Sequence, residues 1–152
     1  EELNMLHDRM SIPIQGNDMN RTMNQWEIQQ LTKFNNISIG AHTKSHTKLS
    51  QLSVDSQKEE INESKEILEK ISGQKIEIFS YPFGEDEDYT EQTVEILKTC
   101  GIKKAAVVKQ GLYSKEYGEY RIPRNTVNGG TTVRQLKKII EKSWFEYGEK
   151  AI

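Results

Sequence analysis

This chain of 152 residues has a single cysteine, three prolines and a net charge of only −2. One cysteine excludes an internal disulfide framework, and Cys100, late in an amphipathic segment, is more typical of a small buried hydrophobic side chain than of a reactive thiol. No apolar run approaches the roughly 18 residues of a membrane-spanning helix. Acidic and basic residues are interleaved, so the sequence predicts no surface for nucleic acid or for an anionic membrane.

The length and composition indicate one globular domain. Apolar residues make up 34% of the chain and charged residues 29%, which is polar but not typical of disorder. We expect a single domain over residues 1–152. Its first part, residues 1–22, is expected to be irregular, with a short helix followed by a loop, because Pro13 and Gly16 interrupt a stretch rich in Asn, Asp and Met.

The rest of the chain alternates predicted helices with predicted strands. The helices are expected over residues 23–34, 53–71, 89–100 and 131–145, and the strands over residues 37–40, 76–81, 104–108 and 121–127. This repeating order, with connections long enough for crossovers, favours an α/β fold with a parallel sheet or a barrel. The helix periodicity places these apolar side chains inward: Trp26, Ile61, Ile67, Leu68, Ile71, Val133, Leu136, Ile139, Ile140 and Trp144.

Two of the three histidines, His42 and His46, lie four residues apart directly after the first predicted strand. At that spacing both imidazoles can turn to one side of a tight loop or helical turn and share a metal ion. The alternative is that both side chains only form hydrogen bonds to neighbouring backbone. His7 has no second histidine nearby.

Functional residues of parallel α/β folds collect at the carboxyl ends of strands. The histidine pair follows the first predicted strand, residues 81–84 (Tyr-Pro-Phe-Gly) follow the second, and Arg121 and Arg124 lie at the fourth. We therefore expect the three clusters to face one rim. Residues 81–84 could instead be a simple turn, the two arginines could be surface ion-pair partners, and the acidic residues 85–88 are most simply a solvated, helix-capping run.

Several of these segments resemble motifs of the polysaccharide deacetylases, the NodB-homology domains of carbohydrate esterase family 4. Residues 39–46 (Ile-Gly-Ala-His-Thr-Lys-Ser-His) are similar to the histidine motif of that family. The helix at residues 59–65 resembles its E-I-x-x-S-K segment. Residues 79–84 (Phe-Ser-Tyr-Pro-Phe-Gly) resemble the F-(A/S)-Y-P-(F/Y)-G loop of one branch.

This resemblance implies a partial (β/α) barrel with parallel strands and outer helices, and metal-dependent removal of acetyl groups from a carbohydrate polymer. His42 and His46 would be ligands of a divalent metal, with zinc preferred. Phe83 would supply the oxyanion amide, since Pro82 has no N–H. Arg124 would orient a catalytic carboxylate. The resemblance also favours the cell envelope or the extracellular space as the location.

The chain departs from the family pattern at both ends. The family opens with T-F-D-D-G and closes with an apolar strand ending in Leu-His. Neither motif is present, and His7-Asp8 is only superficially similar to the first. We expect either a fragment of a longer deacetylase or a degenerate domain that binds carbohydrate without catalysis, and in both cases little activity. A third possibility is an unrelated α/β protein in which the histidine pair is structural.

Overall fold

The structure is a computed structural model that describes residues 21–111 and 113–147, without the side chains of residues 142–147. The predicted irregular segment at residues 1–22 therefore lies almost wholly outside the described residues. The expected inward position of Trp144 lies outside the described side chains. No helix in the described ranges is long and apolar enough to cross a membrane.

A three-stranded parallel sheet lies at the centre of the fold. Its strands are β1 (Ile78–Ser80), β2 (Lys104–Val107) and β3 (Ile122–Pro123), in the order β1-β2-β3. In the register, Phe79 faces Ala105, and Ala106 faces Ile122. The sheet is open and its strands are parallel, which confirms the predicted α/β fold and is consistent with a partial barrel.

The predicted strand at residues 37–40 is wrong. Only the next residue, Ala41, pairs with the sheet, through a single parallel bridge to Phe79. The Ala41 amide donates to the Ile78 carbonyl at 2.8 Å, and the Ala41 carbonyl accepts from the Ser80 amide at 2.9 Å. The pairing stops there because Thr43 has a left-handed backbone with φ of 64°, which turns the chain out of the sheet.

The described residues form four helices: α1 (Gln25–Leu31), α2 (Val54–Ser72), α3 (Glu91–Thr99) and α4 (Val133–Tyr147). Short 3-10 turns lie at Leu49–Gln51 and Lys115–Tyr117. The sequence signals for α2 are confirmed, since the Ser53 side chain caps its N-terminus and Gly73 ends it with φ of 67°. Helix α3 lies between β1 and β2 in the chain, so these three elements form one crossover unit.

The core lies where α2 and α3 pack against β1 and β2. Ile61, Phe79, Tyr81 and Leu97 are fully buried there. One polar contact crosses this core, from the Thr93 hydroxyl on α3 to the Gln57 side-chain oxygen on α2 at 2.7 Å. Satisfying both buried groups with each other avoids the cost of an unpaired donor or acceptor.

Four of the predicted inward side chains are exposed. Trp26 is 65% exposed, Ile67 49%, Val133 72% and Ile140 57%, so their assignment to the core was wrong. Ile67 lines an open cleft of about 360 Å³ between α2 and the short helix α1, which covers only part of that face. Helix periodicity defines an apolar stripe, but it does not determine how much of that stripe a neighbouring element covers.

Candidate functional site

The two histidines lie on a tight loop between the Ala41 bridge and the Leu49–Gln51 turn. Thr43 and His46 both have left-handed backbones, with φ of 64° and 57°, which is uncommon for residues other than glycine. Inside the loop, the His46 amide donates to the Thr43 hydroxyl at 3.0 Å. This conformation brings the imidazoles together, with ring centroids 4.8 Å apart in an edge-to-face arrangement.

The tautomer of His42 is set by the first strand of the sheet. Its Nδ1 lies 2.6 Å from the Ser80 carbonyl oxygen at the end of β1, so this nitrogen carries the proton and donates it. Nε2 of the neutral ring is then left with its lone pair. This is the arrangement of metal-binding histidines, whose second nitrogen donates to a backbone carbonyl or carboxylate.

The loop after β1 faces the second histidine. The Phe83 ring lies edge-to-face with the His46 ring, with centroids 5.0 Å apart. Phe83 is the centre of a γ-turn with positive φ (61°), closed by the Gly84 amide on the Pro82 carbonyl at 2.7 Å. That turn is rare and strained. No described residue accepts a hydrogen bond from the Phe83 amide, so this N–H is available to a ligand.

Arg124 completes the arrangement from β3. Its guanidinium donates to the Ser80 hydroxyl and to the Val107 carbonyl, so Ser80 contacts both Arg124 and His42. Loss of solvation on burial lowers the pKa of Arg124 from its usual value, although the group stays charged. In the described part of the chain no carboxylate forms an ion pair with it.

Arg121, the other arginine of the predicted cluster, lies elsewhere. It forms an ion pair with the exposed Glu91 and lies over the ring of Tyr89. Arg121 is therefore a surface ion-pair partner, as one interpretation of the sequence predicted for both arginines, whereas Arg124 forms no ion pair with a described residue.

The acidic residues 85–88 match the predicted solvated, helix-capping run only in part, since Thr90 and not an acidic residue caps α3. Residues 85–87 are exposed, but Asp88 is only 2% exposed and forms an ion pair with Lys48 at 2.6 Å. Burial raises the pKa of the Asp88 carboxyl, but hydrogen bonds from Lys48 and from the Glu85 amide outweigh it and hold that pKa below its usual value. Because Lys48 follows His46 and Asp88 follows Phe83, this pair ties the two site loops together.

The donor set fits a divalent metal only in part. His42 and His46 offer two imidazole nitrogens from one loop, which suits zinc. Among residues 21–111 and 113–147 there is no group of three histidine, cysteine or acidic side chains that could hold a metal ion. The described chain thus supplies two candidate ligands, and a tetrahedral or octahedral site needs further ones.

Comparison with known proteins identifies the family. Residues 14–105, more than half of the chain, match the polysaccharide deacetylase family. The chain is a polysaccharide deacetylase family member. YxkH of Bacillus subtilis (strain 168) carries the same family name and is 30% identical to this family member over 105 residues. The matched region covers 69% of this chain and 37% of YxkH.

Solved structures agree with the deacetylase fold. Streptococcus pyogenes deacetylase PplD, solved in complex with acetate, gives a TM-score of 0.70 at 22% identity and is matched over 80% of this chain and 52% of PplD. BA3943 of Bacillus anthracis, a CE4 family pseudoenzyme, gives a TM-score of 0.52 at 14% identity. The match covers 81% of this chain and 47% of the BA3943 chain. The chain thus spans about half the length or less of these relatives.

The structure brings together His42, His46, Phe83 and Arg124, all of which the sequence singled out. It adds three groups that the sequence reading missed: Ser80, the Lys48–Asp88 pair and Glu60, which accepts hydrogen bonds from the histidine loop. Ser80 had a signal, since it lies inside the recognised Phe-Ser-Tyr-Pro-Phe-Gly segment. Glu60 also had one, since it is the glutamate of the E-I-x-x-S-K segment. Lys48 and Asp88 had none, because neither the lone lysine nor the last residue of an acidic run differs in sequence from ordinary surface charge.

Gly84 is expected to tolerate no side chain. Its φ is 82°, and a Cβ would lie 2.9 Å from the Val108 backbone nitrogen and 3.3 Å from Arg124. We expect Gly84→Ala to lower the free energy of unfolding by about 2 kcal/mol, since both strain and a clash with backbone are involved. Urea denaturation would measure this. Gly101→Ala is the matched control: its φ is also positive (79°), but nothing lies within 4 Å, so a larger loss there would contradict the role of the clash.

Proposed function

We propose that this family member is a metal-dependent hydrolase that removes N- or O-acetyl groups from a carbohydrate polymer. The observation that carries the proposal is the His42–Ser80 contact, which leaves Nε2 free beside His46 and near the loop that presents the Phe83 amide. A metal-ligand pair next to an available backbone N–H is one combination that can hydrolyse an acetyl group.

Each residue has a distinct part in this chemistry. His42 and His46 would hold the metal, preferably zinc, which when bound lowers the pKa of water and polarises a carbonyl oxygen. The Phe83 amide would donate a hydrogen bond to the acetyl oxygen as negative charge develops on it. Arg124, whose guanidinium forms no ion pair among the described residues, would orient a carboxylate that acts as the base.

The chain as given is proposed to turn over slowly. The sequence has no T-F-D-D-G segment, and the described residues place no carboxylate beside Arg124 or the two histidines. Two imidazoles alone hold a divalent metal weakly, and without a base the attacking water keeps its proton longer.

The proposed partner is an acetylated amino-sugar polymer or oligosaccharide. This follows from the family and not from a contact of the described residues. Because such polymers lie outside the cytoplasm, we also propose the cell envelope or the extracellular space as the location.

A second function is favoured by the incomplete ligand set. A domain of this fold with only two of the ligands would bind carbohydrate without hydrolysing it. The CE4 pseudoenzyme among the structural matches shows that this fold also occurs without activity.

Acetate release separates the two functions. The zinc-loaded chain is incubated with an N-acetylated chitin oligosaccharide and with acetylated xylan, with and without added formate. We expect slow release that formate increases, because a small carboxylate can pair with Arg124. His42→Ala should release nothing. Oligosaccharide binding with no acetate under any condition would support the non-catalytic domain instead.

A further inference from the structure

Glu60, on helix α2, contacts the histidine loop with both of its carboxylate oxygens. Its Oε2 accepts from the Lys44 amide at 3.0 Å and from the Ser45 amide at 2.9 Å, and its Oε1 accepts from the Ser45 hydroxyl at 2.7 Å. Burial raises the pKa of the Glu60 carboxyl, but these hydrogen bonds outweigh it and lower the pKa. The carboxylate of this half-buried glutamate thus binds the histidine loop through both oxygens.

The loop requires an external support. Thr43 and His46 each have a left-handed backbone. This conformation costs about 1–3 kcal/mol per residue and persists only where the surrounding structure imposes it. Within the loop, the His46 amide donates to the Thr43 hydroxyl and the Ser45 and Thr47 hydroxyls share a hydrogen bond, so only the first of these restrains a backbone amide. The three hydrogen bonds that Glu60 accepts come from Lys44 and Ser45, which lie between those two strained residues. They therefore stabilise the loop conformation at the centre of the loop.

The two histidine rings differ in how they are held. The His42 ring is fixed by the Ser80 carbonyl. The His46 ring forms no hydrogen bond with any described residue, and its ring–ring contacts are with His42 and Phe83. Its position therefore depends on the backbone of residues 44–46, to which Glu60 is bound.

We infer that Glu60 is a positioning residue that sets His46 opposite His42 for metal binding. This inference rests on the proposed function. Glu60 is not the missing third ligand, because both of its oxygens are bound to the loop. Its role is that of an outer partner, and loss of such partners weakens metal binding about 10–100-fold.

Three variants of the full chain test this role. Glu60→Ala removes both acceptor oxygens, and with them all three hydrogen bonds, and should weaken zinc binding about 10-fold. Glu60→Gln keeps one oxygen for the two amides, while its NH₂ can donate to the Ser45 hydroxyl, so its zinc affinity should stay within about 3-fold. Glu63→Gln is the matched control: Glu63 lies about one turn further along α2 and, among the described residues, pairs with the Lys44 side chain and not with the loop backbone, so zinc affinity should not change.

Zinc affinity is measured by competition with a chromophoric chelator, and hydrogen exchange of the Lys44 and Ser45 amides is measured in the metal-free proteins. Faster exchange and weaker zinc binding in Glu60→Ala, with both restored in Glu60→Gln, support the inference. Unchanged zinc affinity in Glu60→Ala overturns it while the proposed function stands. If the wild-type chain binds no more zinc than His42→Ala, the proposed function fails. In that case the positioning of His46 for metal binding is overturned with it, whatever the amide exchange of Glu60→Ala.

Discussion

Replacing His42 with alanine is expected to weaken zinc binding by the chain about 100-fold or more. The reason is that the described residues contribute only two imidazoles, so the variant keeps a single ligand. His42 also carries the contact to Ser80 that sets the protonation of its ring. Isothermal titration with zinc at neutral pH measures the effect, and His46→Ala should lose affinity to a similar extent.

The third histidine of the sequence provides the control. His7→Ala should bind zinc like the wild type, because His7 has no histidine four residues away. In the metal-free protein, long-range proton–nitrogen spectra should show the proton of His42 on Nδ1. A proton on Nε2, or zinc loss in His7→Ala equal to that in His42→Ala, would contradict the assignment of the site to the His42–His46 pair.

Replacing Lys48 with methionine is expected to lower the free energy of unfolding by about 3 kcal/mol at neutral pH. Asp88 is only 2% exposed, and the variant leaves its carboxylate without a counter-charge. Among the described residues, Asp88 Oδ1 has the ion pair with Lys48 as its one polar contact. Asp88 Oδ2 accepts a hydrogen bond from the Glu85 amide at 2.8 Å. This loss of stability is at the low end of the range for breaking a buried ion pair, because the Lys48 side chain is 28% exposed.

The loss should depend on pH in a defined direction. The folded-state pKa of Asp88 lies below its unfolded value, so its stabilisation is complete above the unfolded pKa and disappears as the pH falls through the folded pKa. The difference between wild type and Lys48→Met should therefore be largest near neutral pH and shrink below about pH 4. Urea denaturation across this range measures it.

Two further variants control this experiment. Adding Asp88→Asn to Lys48→Met should recover more than half of the loss, because the neutral amide can be buried without a counter-charge and still accept from Glu85. Lys98→Met removes an exposed pair with Glu95 and should change stability by no more than about 0.5 kcal/mol. Equal losses in Lys48→Met and Lys98→Met would show that Asp88 is not stabilised by Lys48.

Local sequence signals predicted the helices better than the strands. Helix α2 begins after Ser53 and ends at Gly73 as expected, because an N-cap and a left-handed glycine affect only the residues next to them in sequence. Residues 37–40 and 121–127 were predicted as strands, but the first forms none and the second shortens to Ile122–Pro123. A strand exists only where a partner lies alongside, and that partner is distant in sequence.

The sequence by itself determined which residue types the site contains. The His42–His46 spacing, the Phe83 turn and Arg124 are local patterns, and the family they indicate is confirmed. Only the tertiary structure showed that Ser80 joins His42 to Arg124, that Lys48 and Asp88 connect the two loops, and that Glu60 supports the histidines. Charged and hydroxyl side chains look alike along a polar sequence. Their roles depend on which atoms the fold brings within hydrogen-bond distance and how far it excludes water from them.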